Sequence, residues 1–227
     1  MDKRTRGILY GLAIGDGGIY LSKDQAATTA RMIIGHGPKQ LEYLEYKAGL
    51  LLRALGGKKP VTYTYKSENK KTGKVYTNHQ IYKNHTYFRQ MHRVLYPYGK
   101  KVYTEKVLGY LTDESLAIWY MDDGSGTITK NKKTGKPCSC MTRLATYCSE
   151  EEANLLKEWF SSKYGLDAKF DIDKRNDKYS LRFNTNDSRT FVSIVSPYMF
   201  QPMKYKIEHV DKYTPRVLDT LRGEDIV

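Results

Sequence analysis

Apolar residues recur along the chain at two periods, and the switch between them lays out its elements. Over residues 39–55, Leu41, Leu44, Ala48, Leu51, Leu52 and Leu55 fall three and four apart, the spacing that turns one stripe of a helix toward a core. Gly56, Gly57 and Pro60 stop that helix. Residues 61–66 and 74–82 alternate instead with a period of two around Lys-Thr-Gly turn chemistry, which predicts two paired strands. A helix over 86–96 ends at Pro97, and Met32, Ile33 and Ile34 form a short apolar strand upstream. The second half repeats this order. Strands are expected over 126–130 and 141–148, then a helix over 150–164 with Ser149 as N-cap and three glutamates in its first turn. Strands over 168–173 and 179–184 flank the turn Lys174-Arg175-Asn176-Asp177, and a last helix begins near Asp187 and ends at Pro197.

Each series is headed by a related nonapeptide. LYGLAIGDG covers residues 9–17 and LAIWYMDDG covers 116–124, so their closing acids, Asp16 and Asp123, stand 107 positions apart in a chain of 227. The first reads as a helix over 5–16 closed by Gly17 and Gly18; the second has Thr112 as N-cap, Asp113 and Glu114 in its first turn and Gly124 at its end. A carboxylate at a helix C-terminus meets the negative end of the dipole and costs ~0.3–1 kcal/mol, so two such acids imply a compensating cation. Gly11 and Gly15 clear one face of the first helix for a neighbouring backbone. If the two helices lie side by side, Asp16 and Asp123 meet, and carboxylates beside helix-end carbonyls form a hard-oxygen set suited to Mg²⁺. Such a site beside a phosphodiester has the working parts for hydrolytic strand cleavage.

Composition narrows the partner. Lys and Arg number 38 against 25 Asp and Glu, a net charge of +13 and a pull toward polyanions, nucleic acid first. Three cysteines, Cys138, Cys140 and Cys148, are too few for a disulfide framework and lack a fourth partner for zinc, so they read as packing or surface thiols in a reducing compartment. No apolar run reaches the length of a membrane span, and no apolar signal core opens the chain. A soluble intracellular protein is expected, in a prokaryotic or phage host or in an organelle matrix.

At these two nonapeptides the chain resembles the LAGLIDADG homing endonucleases in their monomeric, two-repeat form. The first copy matches through Leu9, Gly11, Leu12, Asp16 and Gly17; in the second, Ile118 replaces a glycine and Asp122 a small residue, which implies asymmetric helix packing. The Met-Asp-Asp-Gly ending of residues 121–124, followed far downstream by QPMKYK over 201–206, is similar to intron-encoded mitochondrial members. The resemblance implies an α+β fold of two pseudo-symmetric αββαββα halves, a saddle with antiparallel DNA-binding sheets and both motif helices at the central interface. The halves would be 1–104 and 105–210, with a tail over 211–227. It implies that Asp16 and Asp123 bind divalent metal, with the carbonyls of Gly15 and Asp122 completing the coordination. Mg²⁺ or Mn²⁺ would support cleavage and Ca²⁺ would bind without it. A late basic residue would assist in each half: Lys206 in the second, Lys100 or Lys101 in the first. The expected activity is double-strand cleavage of a long asymmetric DNA site across the minor groove, leaving short 3' overhangs, by a monomer.

The strands carry the recognition set. Ala168, Phe170 and Ile172 face a core while Lys169, Asp171 and Asp173 face away; Leu181 and Phe183 alternate with Ser180, Arg182 and Asn184. In the first half Tyr63, Tyr65, Tyr76, Asn78, Gln80 and Tyr82 recur at every second position, with their face left open. Arg143, Arg182, Asn78, Gln80 and Asn184 have the chemistry to read base edges, and Lys66, Lys70, Lys71, Lys74 and Lys174 to hold phosphates. An RNA-splicing maturase and a non-cleaving DNA-binding regulator are alternatives on the same scaffold. The ends lack the nucleophile and the His-Asn pair of an intein, and the pairs at 78–79 and 84–85 lack the helix-borne histidine of an HNH nuclease. His36, His92 and His209 read as structural or phosphate-contacting.

Overall fold

A computed structural model describes residues 1–22, 24 and 28–213. The first motif becomes helix α1 (Lys3–Ile14), capped by the Asp2 carboxylate on the Thr5 N–H and closed at Gly15. It starts two residues before the expected helix and leaves Asp16 just beyond its end. Strands β1 (Gly18–Leu21) and β2 (Ala30–His36) follow, then α2 (Leu41–Leu55), β3 (Tyr63–Glu68), β4 (Val75–His85) and α3 (Tyr87–Leu95). A short α4 (Glu105–Gly109) leads into the second motif helix, α5 (Asp113–Asp123), which Thr112 and Ser115 open with a reciprocal capping box. Then come β5 (Gly124–Lys130), β6 (Pro137–Cys148), α6 (Glu150–Tyr164), β7 (Lys169–Asp173), β8 (Lys178–Phe183), α7 (Thr185–Val195) and α8 (Glu208–Lys212). Ser149 caps α6, with Glu152 closing its capping box.

The strands form two antiparallel four-stranded sheets in matching order, β1-β2-β4-β3 and β5-β6-β8-β7. Each half therefore runs helix, two strands, helix, two strands, helix. α1 and α5 are buried along most of their length, from Gly7 to Ile14 and from Glu114 to Met121, so neither has the polar face of a surface helix. They pack on each other through glycine. A Cβ at Gly11 would lie 2.8 Å from the Ser115 carbonyl oxygen, and one at Gly15 would lie 2.1 Å from the Asp122 carboxylate. Gly7 repeats the pattern against Thr112, so the glycines of this interface come from α1 alone and the packing is asymmetric, as expected from the second motif. At the opposite end of the interface, Glu114 accepts from Arg4 at 2.7 Å and pairs with Arg53 at 2.5 Å, tying α1, α2 and α5 together.

Sheet parity settles the tyrosine-bearing face. Ile81 is fully buried on β4, so Tyr76, Asn78, Gln80 and Tyr82 point the other way, and Tyr63 and Tyr65 join them by register with Gln80 and Asn78. In the second sheet, Leu144, Leu181 and Phe183 fill the core, and Arg143 lies opposite Arg182 on the open face. Two expectations about this sheet change. Ile172 shares the core-side parity of Phe170 yet is 51% exposed, on the edge strand β7. Ser180 is buried despite its outward parity. Of the expected tail, Asp211 and Lys212 close α8, and the residues from 214 onward lie outside the described set.

Candidate active site and nucleic-acid interface

The ends of α1 and α5 converge with the end of β2 and one face of α2. The Asp122 side chain is fully buried. Its Oδ1 accepts from the Tyr43 hydroxyl at 2.7 Å and meets Lys47 Nζ at 2.5 Å, while its Oδ2 accepts from the backbone N–H of Asp16 at 3.0 Å. The carboxylate of one motif helix thus holds the residue that ends the other. Asp16 keeps 36% of its side chain exposed, and its Oδ2 lies 3.5 Å from Lys47 Nζ and 3.6 Å from His36 Nε2. His36 donates from Nδ1 toward Gln40 Oε1 at 3.1 Å, which leaves Nε2 to accept from the Lys47 ammonium at 2.9 Å. Burial and Lys47 push His36 down to about 4, so the ring is neutral near neutral pH.

The carbonyls at both helix ends face ammonium groups. Lys101 donates to the carbonyls of Gly15 and Gly17, each at 3.0 Å, and Lys206 to those of Met121 at 2.6 Å and Asp122 at 3.0 Å. These are the compensating cations that two C-terminal acids require. Burial lowers both lysines, against the pull of the surrounding aspartates. Burial together with the neighbouring carboxylates pushes Asp123 up to about 7, and Asp16 is raised by burial and then by Asp122. The Lys206 segment is pinned twice: Tyr120 donates its hydroxyl to the Lys206 carbonyl at 2.9 Å, and His209 Nδ1 faces the same oxygen at 3.1 Å.

The structure therefore brings together Asp16, Gly15, Asp122, Asp123, Lys101 and Lys206 from the expected set. Lys100 is exposed and lines one cleft with Lys101, Ile14 and Asp123. Tyr43 and Lys47 lie at the site and were missed, and His36, read as structural or phosphate-contacting, joins them. The signal for Lys47 lay in the pattern: it stands three after Leu44 and four before Leu51 on the apolar stripe of α2, where a lysine has no solvent.

Asp16, His36 and Asp122 each offer one ligand atom within 4.8 Å of the others. Those three atoms surround the Lys47 ammonium, so the oxygens left to face a hard divalent cation are the second Asp16 oxygen, the Asp123 carboxylate and the helix-end carbonyls, a set that fits such an ion.

The remaining expected residues spread over the sheets. Asn78 and Gln80 lie on the open face, where Asn78 donates to Ser67 at 2.8 Å. Arg31 stacks over Tyr82, its guanidinium 4.4 Å from the ring centre, and Tyr82 stacks on Tyr63 at 5.1 Å. On the second sheet, Asp171 lies between Arg143 at 3.4 Å and Arg182 at 3.0 Å, so the acid orients two guanidinium groups. Lys169 flanks them by register with Arg182. Asp173 holds Arg175 in the β7–β8 turn, where Lys174 is exposed, and Lys70, Lys71 and Lys74 are exposed in the β3–β4 turn. Two positions lie differently from the rest. Asn184 is the N-cap of α7, its side-chain oxygen taken by the Asn186 and Asp187 N–H groups, because that helix begins at Thr185 and not near Asp187. Lys66 pairs with Thr77, on the face opposite the tyrosines, since it is odd by one from Tyr65. Cys140 and Cys148 are buried, Cys138 is exposed, and all three are free thiols. No helix among the described residues is long and apolar enough to cross a membrane.

Comparison with known proteins agrees with this architecture. The model of the LAGLIDADG DNA endonuclease family matches residues 6–191. A RecA protein of Mycobacterium shimoidei is 29% identical over 205 residues, covering 88% of this chain and 45% of that protein, so the chain spans less than half the length of such relatives. A cytochrome b mRNA maturase bI2 of Debaryomyces hansenii is 28% identical over 91% of this chain and 74% of its own length. A probable intron-encoded endonuclease of Wickerhamomyces canadensis is 32% identical over 53% of this chain and 48% of its own length. Among solved structures, the homing endonuclease I-WcaI bound to its DNA recognition sequence superimposes with a TM-score of 0.74 at 23% identity, covering 91% of this chain and 86% of that one. With most of its length matched by the family model, and both acid-tipped helices paired at the centre of two matching sheets, this chain belongs to the LAGLIDADG DNA endonuclease family.

Proposed function

We propose that the chain is a site-specific, divalent-metal-dependent endonuclease that cuts both strands of duplex DNA as a monomer. The observation that carries this reading is the junction of α1 and α5. There two carboxylates, Asp16 and Asp123, stand at helix ends whose carbonyls are bridged by Lys101 and Lys206. Asp16 and Asp123, with the carbonyls of Gly15 and Asp122, would hold Mg²⁺ or Mn²⁺. When bound, such a cation lowers the pKa of water and offsets charge on the scissile phosphate. Lys101 and Lys206 stand ready to move from the carbonyls toward a phosphate oxygen and stabilise its developing charge. On the sheets, Arg143, Arg182, Asn78 and Gln80 face outward with base-reading chemistry, while Lys70, Lys71, Lys74, Lys169 and Lys174 supply phosphate contacts.

The test is incubation with a library of long randomised duplexes, in Mg²⁺ or EDTA, and sequencing of the cut ends. Cleavage at one extended site is expected in Mg²⁺ alone. Replacing Asp16→Asn and Asp123→Asn together should lower it by at least ~10²-fold. Tight binding without cleavage would overturn the endonuclease reading in favour of a regulator. The similarity to a maturase over most of the chain favours one second reading, binding of structured intron RNA. Protection of such RNA by the protein tests it.

A further inference from the structure

The two halves differ most where they should be most alike. Asp122 occupies the position of Gly15 in the other motif, since the motifs are offset by 107. Lys47 is the seventh residue of α2; the seventh of α6, an equal 15 residues long, is Leu156, apolar and fully buried. Tyr43, third in α2, corresponds to Glu152, which is spent on capping its own helix. None of the three members of the Asp122–Lys47–Tyr43 cluster is duplicated. We propose that Lys47 is a positioning residue that makes the two cleavage centres inequivalent, so that the strand served by Asp16 is cut before the strand served by Asp123. This rests on the endonuclease reading above.

The geometry gives the direction. At Asp16 the neighbouring Asp122 charge is met by Lys47 at 2.5 Å, and the Asp16 backbone N–H is held by the same carboxylate at 3.0 Å. The Asp16 carboxylate itself lies 3.5 Å from Lys47. Its frame is complete before any cation or DNA arrives. Among the described residues, no lysine, arginine or histidine nitrogen lies within 4.0 Å of the Asp123 carboxylate. Lys101 and Lys206, the cations flanking Asp123, are bound to helix-end carbonyls instead, so the Asp123 centre starts with less of its counter-charge in place, and a less preorganised centre is slower.

The experiment follows single-turnover cleavage of a duplex labelled separately on each strand. Asp16→Asn and Asp123→Asn, compared singly, assign the strands to their centres by which strand each slows more. The key variant is Lys47→Met with Asp122→Asn, which removes a pair of opposite charges and keeps the net charge and the side-chain shape. In the unmodified protein, the strand assigned to Asp16 should be nicked first. In the double variant the ratio of the two nicking rates should fall roughly tenfold, equivalent to ~1.4 kcal/mol of barrier preference. A purely structural role would slow both strands by one common factor. Melting in EDTA gives a readout independent of cleavage: Lys47→Met alone should lower Tm more than the double variant, because it strands the buried Asp122 charge. Equal strand rates in the unmodified protein, or an unchanged ratio in the double variant, would overturn this inference alone. Failure of the unmodified protein to cut either strand would overturn it together with the endonuclease reading.

Discussion

Asp123 carries a pH dependence whose sign follows from its surroundings. Burial and neighbouring carboxylates hold it up near 7, against about 3.9 for an unfolded aspartate. Stability from this group is complete below the unfolded value and is lost as pH rises through the folded one. His36 acts in the opposite sense: depressed to about 4, it contributes stability above about 6.5 that is lost as pH falls. The two overlap, so the useful quantity is the difference between the unmodified protein and Asp123→Asn, in which His36 cancels. In EDTA the variant should gain Tm over the unmodified protein as pH is raised from about 5 to about 8, and a divalent cation should narrow the gap. A gap that does not change with pH would show that Asp123 is ionised throughout. At this scale the sequence was legible where duplication spoke, at Asp16 and Asp123. Lys47, His36 and Tyr43 come from α2 and β2, and only folding brings them to the acids.

Elements tell a second story in the turns. Asn-Lys-Lys-Thr-Gly-Lys occurs at both 69–74 and 131–136, and both copies fold alike. The Asn69 and Asn131 side chains accept from the N–H groups two and three residues on, and Gly73 and Gly135 take the left-handed conformation at φ 66° and 67°. The copies sit on different hairpins, β3–β4 in the first half and β5–β6 in the second, so the internal duplication does not relate them. Each presents three exposed lysines. Changing Lys70, Lys71 and Lys74 to Gln should reduce the slope of log K against log salt for DNA binding by up to ~2.7, as would the same changes at Lys132, Lys133 and Lys136. An unchanged slope would place that turn off the DNA. Helices with strong caps, such as α6, were readable to the residue. β1 was not, because Gly18–Leu21 is too short for a period to register, and its pairing with β2 alone defines it.

For the whole molecule, the duplicated order of elements was enough to anticipate two matching halves, and the glycines of α1 to anticipate a close helix pair. How the pair would be asymmetric was out of reach, because it depends on which residues of α5 meet those glycines. A methyl at Gly11 would press on the Ser115 backbone, so Gly11→Ala should cost roughly 1–3 kcal/mol, read as a lower Tm or denaturation midpoint. An unchanged Tm would mean that the helices separate freely at that point.

The same seam decides which copies can mate. Two first halves brought together would set glycine against glycine along the interface, leaving a void where Thr112, Ser115 and Asp122 now fit, and the Asp16 N–H would lose its acceptor. Two second halves would bring Asp122 against its twin without the glycine gap, and no Lys47 would be present to neutralise either. The two copies fit each other as a key and a lock. Exchanging halves between relatives therefore requires that the α1 glycines, Lys47 and Asp122 be carried over as one set.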